Sequence, residues 1–365
     1  MLSRPKIPVF QPSMPAFDDY VQRLKCVWES KMVSNFATNC QEMEQLAINY
    51  LGVKHVIGVA SGDLGLMAVI SSLDIPEGSE AIVPSFTFNS TANVLMWNKL
   101  RPVFADIDKK NLCIDPASVA KLITRKTKLI VATHVFGNPC NIAELERMAN
   151  NYRLKLVFDA AHGYGSEYRG VKVGNFGEAE VFSFSGTKLV TSAEGGLIAT
   201  NNDELAQRIR YTRNYGFLED YNSKFLGLNG KISELNAAMG CLTLPEIDIE
   251  VAKRNKWAEK YREGLKGIGD IGFQVVNKNN KSTYKDFCIM TSRRDELYNF
   301  LDQEGIMTKK YFYPIHKMDY YKKKSFKLSV TELVGDQSLC LPIFGTITKE
   351  QIQRVIDSIK VFFER

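Results

Sequence analysis

Residues 128–159, KLIVATHVFGNPCNIAELERMANNYRLKLVFD, decide the fold class of this chain. Two apolar runs, Lys128–Thr133 and Lys155–Asp159, flank a polar turn and the helical stretch Ile142–Tyr152. Both runs are apolar on the two faces that a strand presents, which is typical of strands buried in a parallel sheet. A strand, a helix and a second strand in this order predict a β-α-β unit.

The alternation of strands and helices extends from about Glu42 to Arg213. After Pro245 the pattern changes to a long polar helix, strand-like pieces (FQVV, DFCIM) and two further helices. We therefore predict a large domain over residues 1–245 and a small α+β domain over residues 246–365. The further predicted elements are strands at Lys54–Ala60, Ala81–Val83 and Pro102–Asp106, and helices at Leu64–Leu73, Glu246–Gly264, Arg294–Gln303 and Lys349–Phe363.

The composition of the 365 residues is that of an ordinary globular protein, with 45% hydrophobic and 24% charged residues. The net charge of 47 − 41 = +6 does not mark a nucleic-acid binder, although it is compatible with an anionic substrate. Seven lysines lie between Lys309 and Lys327, either as a solvated face or as a cationic rim for a phosphorylated substrate. No uncharged apolar run approaches 18 residues, so no membrane span is expected.

The seven cysteines are odd in number and form no CxxC pair, which favours reduced thiols in a cytoplasmic protein. The chain has four histidines and no close His/Cys cluster, so we expect no metal site.

Polar residues follow three of the predicted strands, at the sheet edge where open α/β sheets bind ligands. The first strand ends in Ser-Gly-Asp before a helix, so Gly62 and Asp63 form a phosphate-binding turn, or Asp63 is an ordinary N-cap of that helix. The second ends at Asp159, with His162 three residues later. The third is followed by a Ser-Gly-Thr turn and Lys188.

Each of these signals is weak alone, because Asp159 can cap a turn and most lysines are solvated. Together they suit pyridoxal phosphate, which needs a lysine for its aldehyde, a carboxylate for its ring nitrogen and a phosphate site. Phe86 and Phe88 are candidates for the aromatic face over the ring. Ser183 lies beside the predicted lysine turn and is a candidate phosphate ligand.

The sequence resembles the DegT/DnrJ/StrS family of sugar aminotransferases from about Pro8 to Val361. The markers are YLGVKHVIGVASGD, VPSFTFNSTAN, PVFADID, FDAAHGYG, FSFSGTK, EGGLIATN, RNYGF, GLNGKISELNAAMG and YFYPIHKM. The resemblance implies the α/β fold type I of pyridoxal-phosphate-dependent transferases, with a mainly parallel seven-stranded sheet and a small C-terminal domain. It also implies a homodimer with active sites at the subunit interface.

The resemblance assigns roles to individual positions. Lys188 matches the lysine that carries the cofactor, and Asp159 matches the carboxylate under the pyridine nitrogen. The remaining cofactor positions are Phe88 stacked on the ring, His162 near the ring hydroxyl, Gly62, Asp63 and Ser183 at the phosphate, and Asn229 reaching the phosphate from the partner subunit.

Two positions depart from the family pattern. Asp63 stands where the family has Thr, and a carboxylate beside a phosphate dianion is unfavourable. Lys231 stands where the family often has Arg, so its contact with an anion would be single-point and not bidentate. Tyr313 and His316 match a family stretch near the substrate, although their aromatic surroundings can equally be packing residues.

The implied activity transfers an amino group from glutamate to a nucleotide-linked keto-deoxysugar. Such a reaction serves the biosynthesis of cell-surface polysaccharides, such as the lipopolysaccharide O-antigen, or of natural-product sugars. Two alternatives are a sugar dehydratase, against which Lys188 argues because such relatives carry His at the matching position, and a regulatory protein that binds the cofactor without catalysis. The sequence leaves open the sugar, its nucleotide and the carbon that is aminated.

Overall fold

The computed structural model describes residues 5–218, 221–322 and 326–364. Its helices are α1 (Phe17–Ser30), α2 (Thr38–Leu51), α3 (Gly62–Ser72), α4 (Ser90–Trp97), α5 (Pro116–Leu122), α6 (Ile142–Tyr152), α7 (Asp203–Thr212), α8 (Glu234–Thr243), α9 (Ile247–Leu265), α10 (Arg294–Gln303), α11 (Ser329–Gln337) and α12 (Lys349–Glu364). Its strands are β1 (His55–Val59), β2 (Glu80–Pro84), β3 (Arg101–Ala105), β4 (Thr127–Thr133), β5 (Lys155–Asp159), β6 (Glu167–Tyr168), β7 (Val171–Lys172), β8 (Ala179–Ser183), β9 (Gly196–Thr200), β10 (Gly272–Phe273), β11 (Asn280–Lys281), β12 (Phe287–Met290) and β13 (Ser338–Leu341).

Seven strands form the central sheet in the order β1-β9-β8-β5-β4-β2-β3. The pairs among β3, β2, β4, β5 and β8 are parallel, whereas β9 is antiparallel to both of its neighbours. All the strands except β9 therefore point the same way, and their carboxyl ends meet at one edge. The predicted α/β fold with a mainly parallel seven-stranded sheet is confirmed.

The β-α-β unit that led the prediction is present as β4, α6 and β5, and the predicted bounds of α6 and β5 are confirmed. Helix α6 buries Ile142, Leu145, Met148 and Ala149, which are spaced three or four residues apart and share one face. The central residues of β4 and β5 are buried on both faces of the sheet, as their continuous apolar composition requires.

Helix α3 begins two residues earlier than predicted. Ser61 is its N-cap, since the Ser61 hydroxyl accepts a hydrogen bond of 3.2 Å from the Leu64 N–H. Asp63 therefore lies in the first turn of the helix, and the interpretation of Asp63 as the cap is wrong.

The C-terminal part of the chain follows a short 3-10 turn at Leu244–Glu246. Strands β10, β12 and β13 form an antiparallel sheet, and α9, α10 and α12 pack with it around a separate apolar core. The predicted strand FQVV is reduced to β10, because the backbone leaves the sheet after Phe273 and the Val275 N–H donates to the Lys110 carbonyl instead, at 2.7 Å. The domain boundary near residue 245 stays a prediction.

The polar turn after β4 is buried against the C-terminal part. The backbone N–H of Lys285 donates to the Phe136 carbonyl at 3.0 Å, and the Thr283 hydroxyl donates to the His162 carbonyl at 2.7 Å. Gly137 makes this approach possible: its φ is +87°, and a Cβ there would lie 1.8 Å from the Thr283 hydroxyl. We call these bonds the C-terminal junction.

No helix within the described ranges is long and apolar enough to cross a membrane. Lys323 and Lys324, which belong to the lysine-rich stretch of the sequence, lie outside the described residues.

Candidate active site

A cavity of about 460 Å³ opens at the carboxyl ends of the parallel strands. It is walled by the strand ends of the central sheet on one side and by the C-terminal part on the other. The structure brings seven of the predicted site residues together in its lining: Gly62, Asp63, Phe88, Asp159, His162, Ser183 and Lys188.

Asp159 lies at the end of β5 and is 4% exposed. One carboxylate oxygen accepts a 2.6 Å hydrogen bond from the Thr91 hydroxyl, and the other accepts a 3.1 Å bond from the Ala161 N–H. These neutral donors fix the orientation of the carboxylate without neutralising its charge. A cation in the cavity would therefore find a buried and oriented anion at this position.

Lys188 lies in the loop that joins β8 to the antiparallel strand β9. Its backbone N–H donates to the Ser185 carbonyl at 3.0 Å, and its side chain reaches the cavity. Burial lowers the pKa of the Lys188 amine to about 8, and repulsion from Lys285 contributes to the shift against the opposing attraction of Asp159. Near neutral pH the amine therefore has a substantial nucleophilic, unprotonated fraction.

This pKa gives a testable pH dependence in the cofactor-free protein. Because the neutral amine is the reactive form, acetylation of Lys188 should rise with pH and level off above about 8, whereas ordinary exposed lysines keep rising toward about 10.4. At pH 7.5 Lys188 should react roughly 100-fold faster than surface lysines of equal access. Pulse labelling with an acetylating reagent, followed by peptide mass spectrometry, measures the acetylation rates of Lys188 and of the surface lysines in one sample. A midpoint for Lys188 near that of the surface lysines would contradict the prediction.

Two buried polar atoms in the cavity wall lack a hydrogen-bond partner among the described residues. They are the Nδ1 atom of His162 and the hydroxyl of Thr133. Burial, followed by the charges of Lys188 and Lys285, holds the pKa of His162 well below its usual range, so the imidazole is neutral. Its ring lies nearly parallel to that of Phe136, with the centroids 6.5 Å apart. Both atoms are positioned to bond a polar ligand in the cavity.

Another part of the cavity wall is formed by the start of α3 and the end of β8. Gly62 packs tightly there, since a Cβ on it would lie 3.1 Å from the Cβ of Ser183. Free N–H groups at a helix start and a neighbouring hydroxyl suit a phosphate. Burial raises the pKa of the Asp63 carboxyl, and the charge of Asp159 adds to this, while a hydrogen bond to Ser90 opposes it.

The two candidate aromatic residues, Phe86 and Phe88, differ in their exposure to the cavity. The ring of Phe88 is 57% exposed and faces the cavity, so it is free to stack on a planar ligand. Phe86 is fully buried and packs edge-on against Phe136 and Phe312. The expectation that Phe86 supplies a ring face is therefore wrong, and that residue belongs to the core.

Four predicted residues lie outside this cavity. Asn229 is exposed, and the Lys231 ammonium lies 4.7 Å from the centroid of the Tyr215 ring. Tyr313 is 62% exposed and follows the lining residue Phe312. His316 is buried, with its ring bonded to Ser85 at 2.7 Å and to Glu332 at 3.3 Å. Their roles in binding stay predictions.

Several residues of the cavity were not assigned to the site from the sequence. Thr91 is the partner of Asp159, and its position one helical turn after Thr87 in FTFNSTAN could have suggested a shared face. Lys285 comes from the C-terminal part and no motif marks it, whereas Lys309 begins the lysine-rich stretch and Tyr311 begins the marker YFYPIHKM.

Comparisons with known proteins agree with this geometry. Residues 17–360 match the DegT/DnrJ/EryC1/StrS aminotransferase family. The chain belongs to this aminotransferase family. It is 31% identical over 363 residues to dTDP-4-amino-4,6-dideoxy-D-glucose transaminase from Shigella dysenteriae, covering 97% of this chain and 98% of the relative. It is 30% identical over 363 residues to GDP-perosamine synthase from Escherichia coli O157:H7, covering 98% of both chains.

Solved structures of aminotransferases have the same fold as this chain. DesI, determined in the presence of its TDP-sugar product, superposes with a TM-score of 0.94 at 30% identity, covering 99% of this chain and 94% of DesI. Helicobacter pylori PseC, an aminotransferase of pseudoaminic acid biosynthesis, gives a TM-score of 0.90 at 25% identity, with 98% and 99% coverage. The predicted family, fold type and enzyme class are confirmed.

The cofactor of this family is pyridoxal phosphate, and the cavity fits it. The unpartnered Nδ1 of His162 and hydroxyl of Thr133 offer bonds to polar ring substituents, and the buried carboxylate of Asp159 offers an anion to the ring nitrogen. The close packing of Gly62 on Ser183 leaves a cradle for the phosphate. The cofactor prediction is confirmed.

Proposed function

We propose that this aminotransferase converts a nucleotide-linked keto-deoxysugar to an amino sugar, with glutamate as the amino donor. The observation that carries the proposal is the convergence of a low-pKa lysine, Lys188, and a buried carboxylate, Asp159, in a cavity of a chain whose relatives act on sugar nucleotides. Cell-surface polysaccharides and natural products are the proposed destinations of the amino sugar.

The proposed mechanism has two half-reactions in one cavity. When bound, the cofactor supplies an electron-accepting ring next to the nitrogen that is transferred. Lys188 would hold the cofactor by its amine, and that amine, once freed, would carry the proton taken from the donor α-carbon. Asp159 would keep a proton on the ring nitrogen, and Phe88 would cover one face of the ring. The same residues would serve the keto-sugar in the second half-reaction.

The direct test separates the two half-reactions. Purified enzyme is mixed with L-glutamate, and the yellow absorbance of the cofactor-loaded protein is expected to bleach. Nucleotide-linked keto-sugars are then added in a panel, and amino-sugar products are identified by mass spectrometry and NMR. Absorbance that persists with every amino acid, or a bleached enzyme that no keto-sugar restores, would contradict the proposed function.

We also place the active enzyme in a homodimer that shares its sites. Asn229, the proposed phosphate ligand, does not reach the cavity of its own subunit. One face of α1 leaves Phe17, Val21 and Trp28 exposed at 78%, 42% and 62%. A second subunit that covers such an apolar face and supplies Asn229 would account for both features.

Mixed dimers test the shared site. Lys188→Ala and Asn229→Ala proteins are each expected to be inactive or nearly so. Random mixing of the two should restore activity to about a quarter of wild type, because half of the dimers then contain one intact site of two. Activity is measured after denaturation and joint refolding, with each variant refolded alone as the control. No restoration would show that Asn229 does not act across an interface.

The cytoplasm is the proposed location. All seven cysteines are free thiols, and six of them are buried, as a reducing compartment allows.

A further inference from the structure

Two lysines from the C-terminal part, Lys285 and Lys309, line the cavity opposite the sheet. Their ammonium nitrogens lie 5.6 and 4.2 Å from the centroid of the same ring, that of Tyr311. The cofactor fit assigns neither lysine a role. We call this pair of cations the lysine wall.

We propose that the lysine wall binds the α-carboxylate of the amino donor. This inference rests on the proposed transfer from an amino acid and names the residues that recognise it.

Lys285 is held rigidly and keeps donor capacity for a ligand. It is 4% exposed, and its ammonium group bonds the two carboxylate oxygens of Asp286 at 3.0 and 3.1 Å. Its backbone is fixed on both sides, by the Phe136 carbonyl at 3.0 Å and the Arg254 guanidinium at 3.1 Å. An ammonium group has three N–H donors, so Asp286 leaves at least one of them for a ligand.

Lys309 is anchored to the edge of the C-terminal sheet. It exchanges two backbone hydrogen bonds with Cys340 of β13, at 3.1 and 2.8 Å. Among residues 5–218, 221–322 and 326–364 its ammonium group forms no ion pair. Burial, and then repulsion from Lys285, lowers the pKa of Lys309. An anion bound between the two lysines would relieve this repulsion and offset the loss of hydration.

The position of the lysine wall favours a carboxylate over a diphosphate. Lys285 and Lys188 line the same cavity, and the charge of Lys285 acts on both Lys188 and His162, whose pKa values it lowers. In an α-amino acid the carboxylate is bonded to the carbon that reacts. In a nucleotide sugar the diphosphate is on C1, and ring atoms separate it from the reacting carbon. A cation that shares the cavity with Lys188 is therefore within reach of the carboxylate.

The main test compares Lys309→Met with a matched control, Lys310→Met. Lys310 is the next residue, but its ammonium group pairs with Asp295 at 2.6 Å and does not line the cavity. The probe is glutarate, a dicarboxylate without an amino group, titrated by calorimetry into the cofactor-free and the cofactor-loaded protein. Lys309→Met should weaken glutarate binding about tenfold, and Lys310→Met should leave it within twofold of wild type.

A kinetic measurement distinguishes whether the lysine wall binds the carboxylate of the amino donor or the diphosphate of the nucleotide sugar. Lys309→Met should raise the KM for glutamate about tenfold and leave the KM for the nucleotide keto-sugar within twofold of wild type. An increase confined to the nucleotide sugar would assign the lysine wall to the diphosphate and overturn the proposal.

Lys285 requires a compensated variant, because Lys285→Met alone would leave Asp286 buried without a partner. The double variant Lys285→Met/Asp286→Asn removes both charges, and thermal unfolding checks that it is folded. Its glutarate affinity should fall about tenfold or more. The glutarate titrations do not require turnover, so they test the carboxylate site even if no keto-sugar is aminated. Failure of the proposed function is thereby distinguished from failure of the proposed carboxylate site. Glutarate binding by Lys309→Met that equals wild type, or no glutarate binding by wild type, would overturn the lysine wall as the carboxylate site.

Discussion

Replacement of Lys188 by alanine is expected to lower kcat by roughly 10⁴-fold or more and to leave a folded protein. The change removes the group that holds the cofactor and the group that moves the proton, because both are the same amine. Folding should be retained, since the Lys188 amine forms no hydrogen bond or ion pair within the described residues and is itself poorly hydrated. Single-turnover absorbance with glutamate and a thermal unfolding curve measure the two effects.

Two control variants isolate the cause of that loss. Lys188→Arg keeps a cation of similar length but cannot present a neutral nucleophile, so it should be as inactive as Lys188→Ala. Lys155→Ala removes a surface lysine whose ion pair with Glu178 is partly exposed, and it should leave kcat unchanged. Undiminished amino transfer by Lys188→Ala would rule out Lys188 as the reacting amine.

Replacement of Asp159 by asparagine is expected to lower kcat by about 10²- to 10⁴-fold, since loss of one partner of a buried charge pair costs about 3–5 kcal/mol. The substitution keeps the shape of the side chain and removes the charge that holds a proton on the ring nitrogen. It also leaves one oxygen to accept from Thr91 and Ala161, which now bond one oxygen each. Steady-state kinetics and a cofactor titration measure activity and affinity separately.

The matched control for Asp159 is Asp203→Asn, which also removes one carboxylate charge. Asp203 lies on the surface, where it pairs with Lys54 and His55, so its loss should leave kcat unchanged. A threefold effect or less in Asp159→Asn would mean that the ring nitrogen does not depend on this carboxylate.

The sheet and its edge were predictable because strand and helix periods are local. The β-α-β unit of β4, α6 and β5 is recognised within 32 residues. Once the strands are parallel, their carboxyl ends necessarily meet at one edge of the sheet. Asp159 and Lys188 meet for this reason, although 29 positions separate them. The N-cap was placed two residues too far along the chain at Asp63, since Ser61 caps the helix with the same chemistry.

The rest of the site depends on contacts that no local pattern encodes. Lys285 and Lys309 reach the cavity only because the C-terminal part folds back on the sheet, about 100 residues after Lys188 in the chain. Phe86 and Phe88 are two residues apart and should share a strand face, yet the chain leaves β2 before them and turns one ring into the core. The proposed role of Asn229 depends on a second subunit.

The C-terminal junction ties the cavity lining that the C-terminal part contributes to the strand ends of the sheet. For the C-terminal part to swing away from the sheet, the bonds from Thr283 to His162 and from Lys285 to Phe136 would have to break together. Two of the bonded residues, His162 and Lys285, also line the cavity. The junction therefore couples any movement of the C-terminal part to the shape of the cavity.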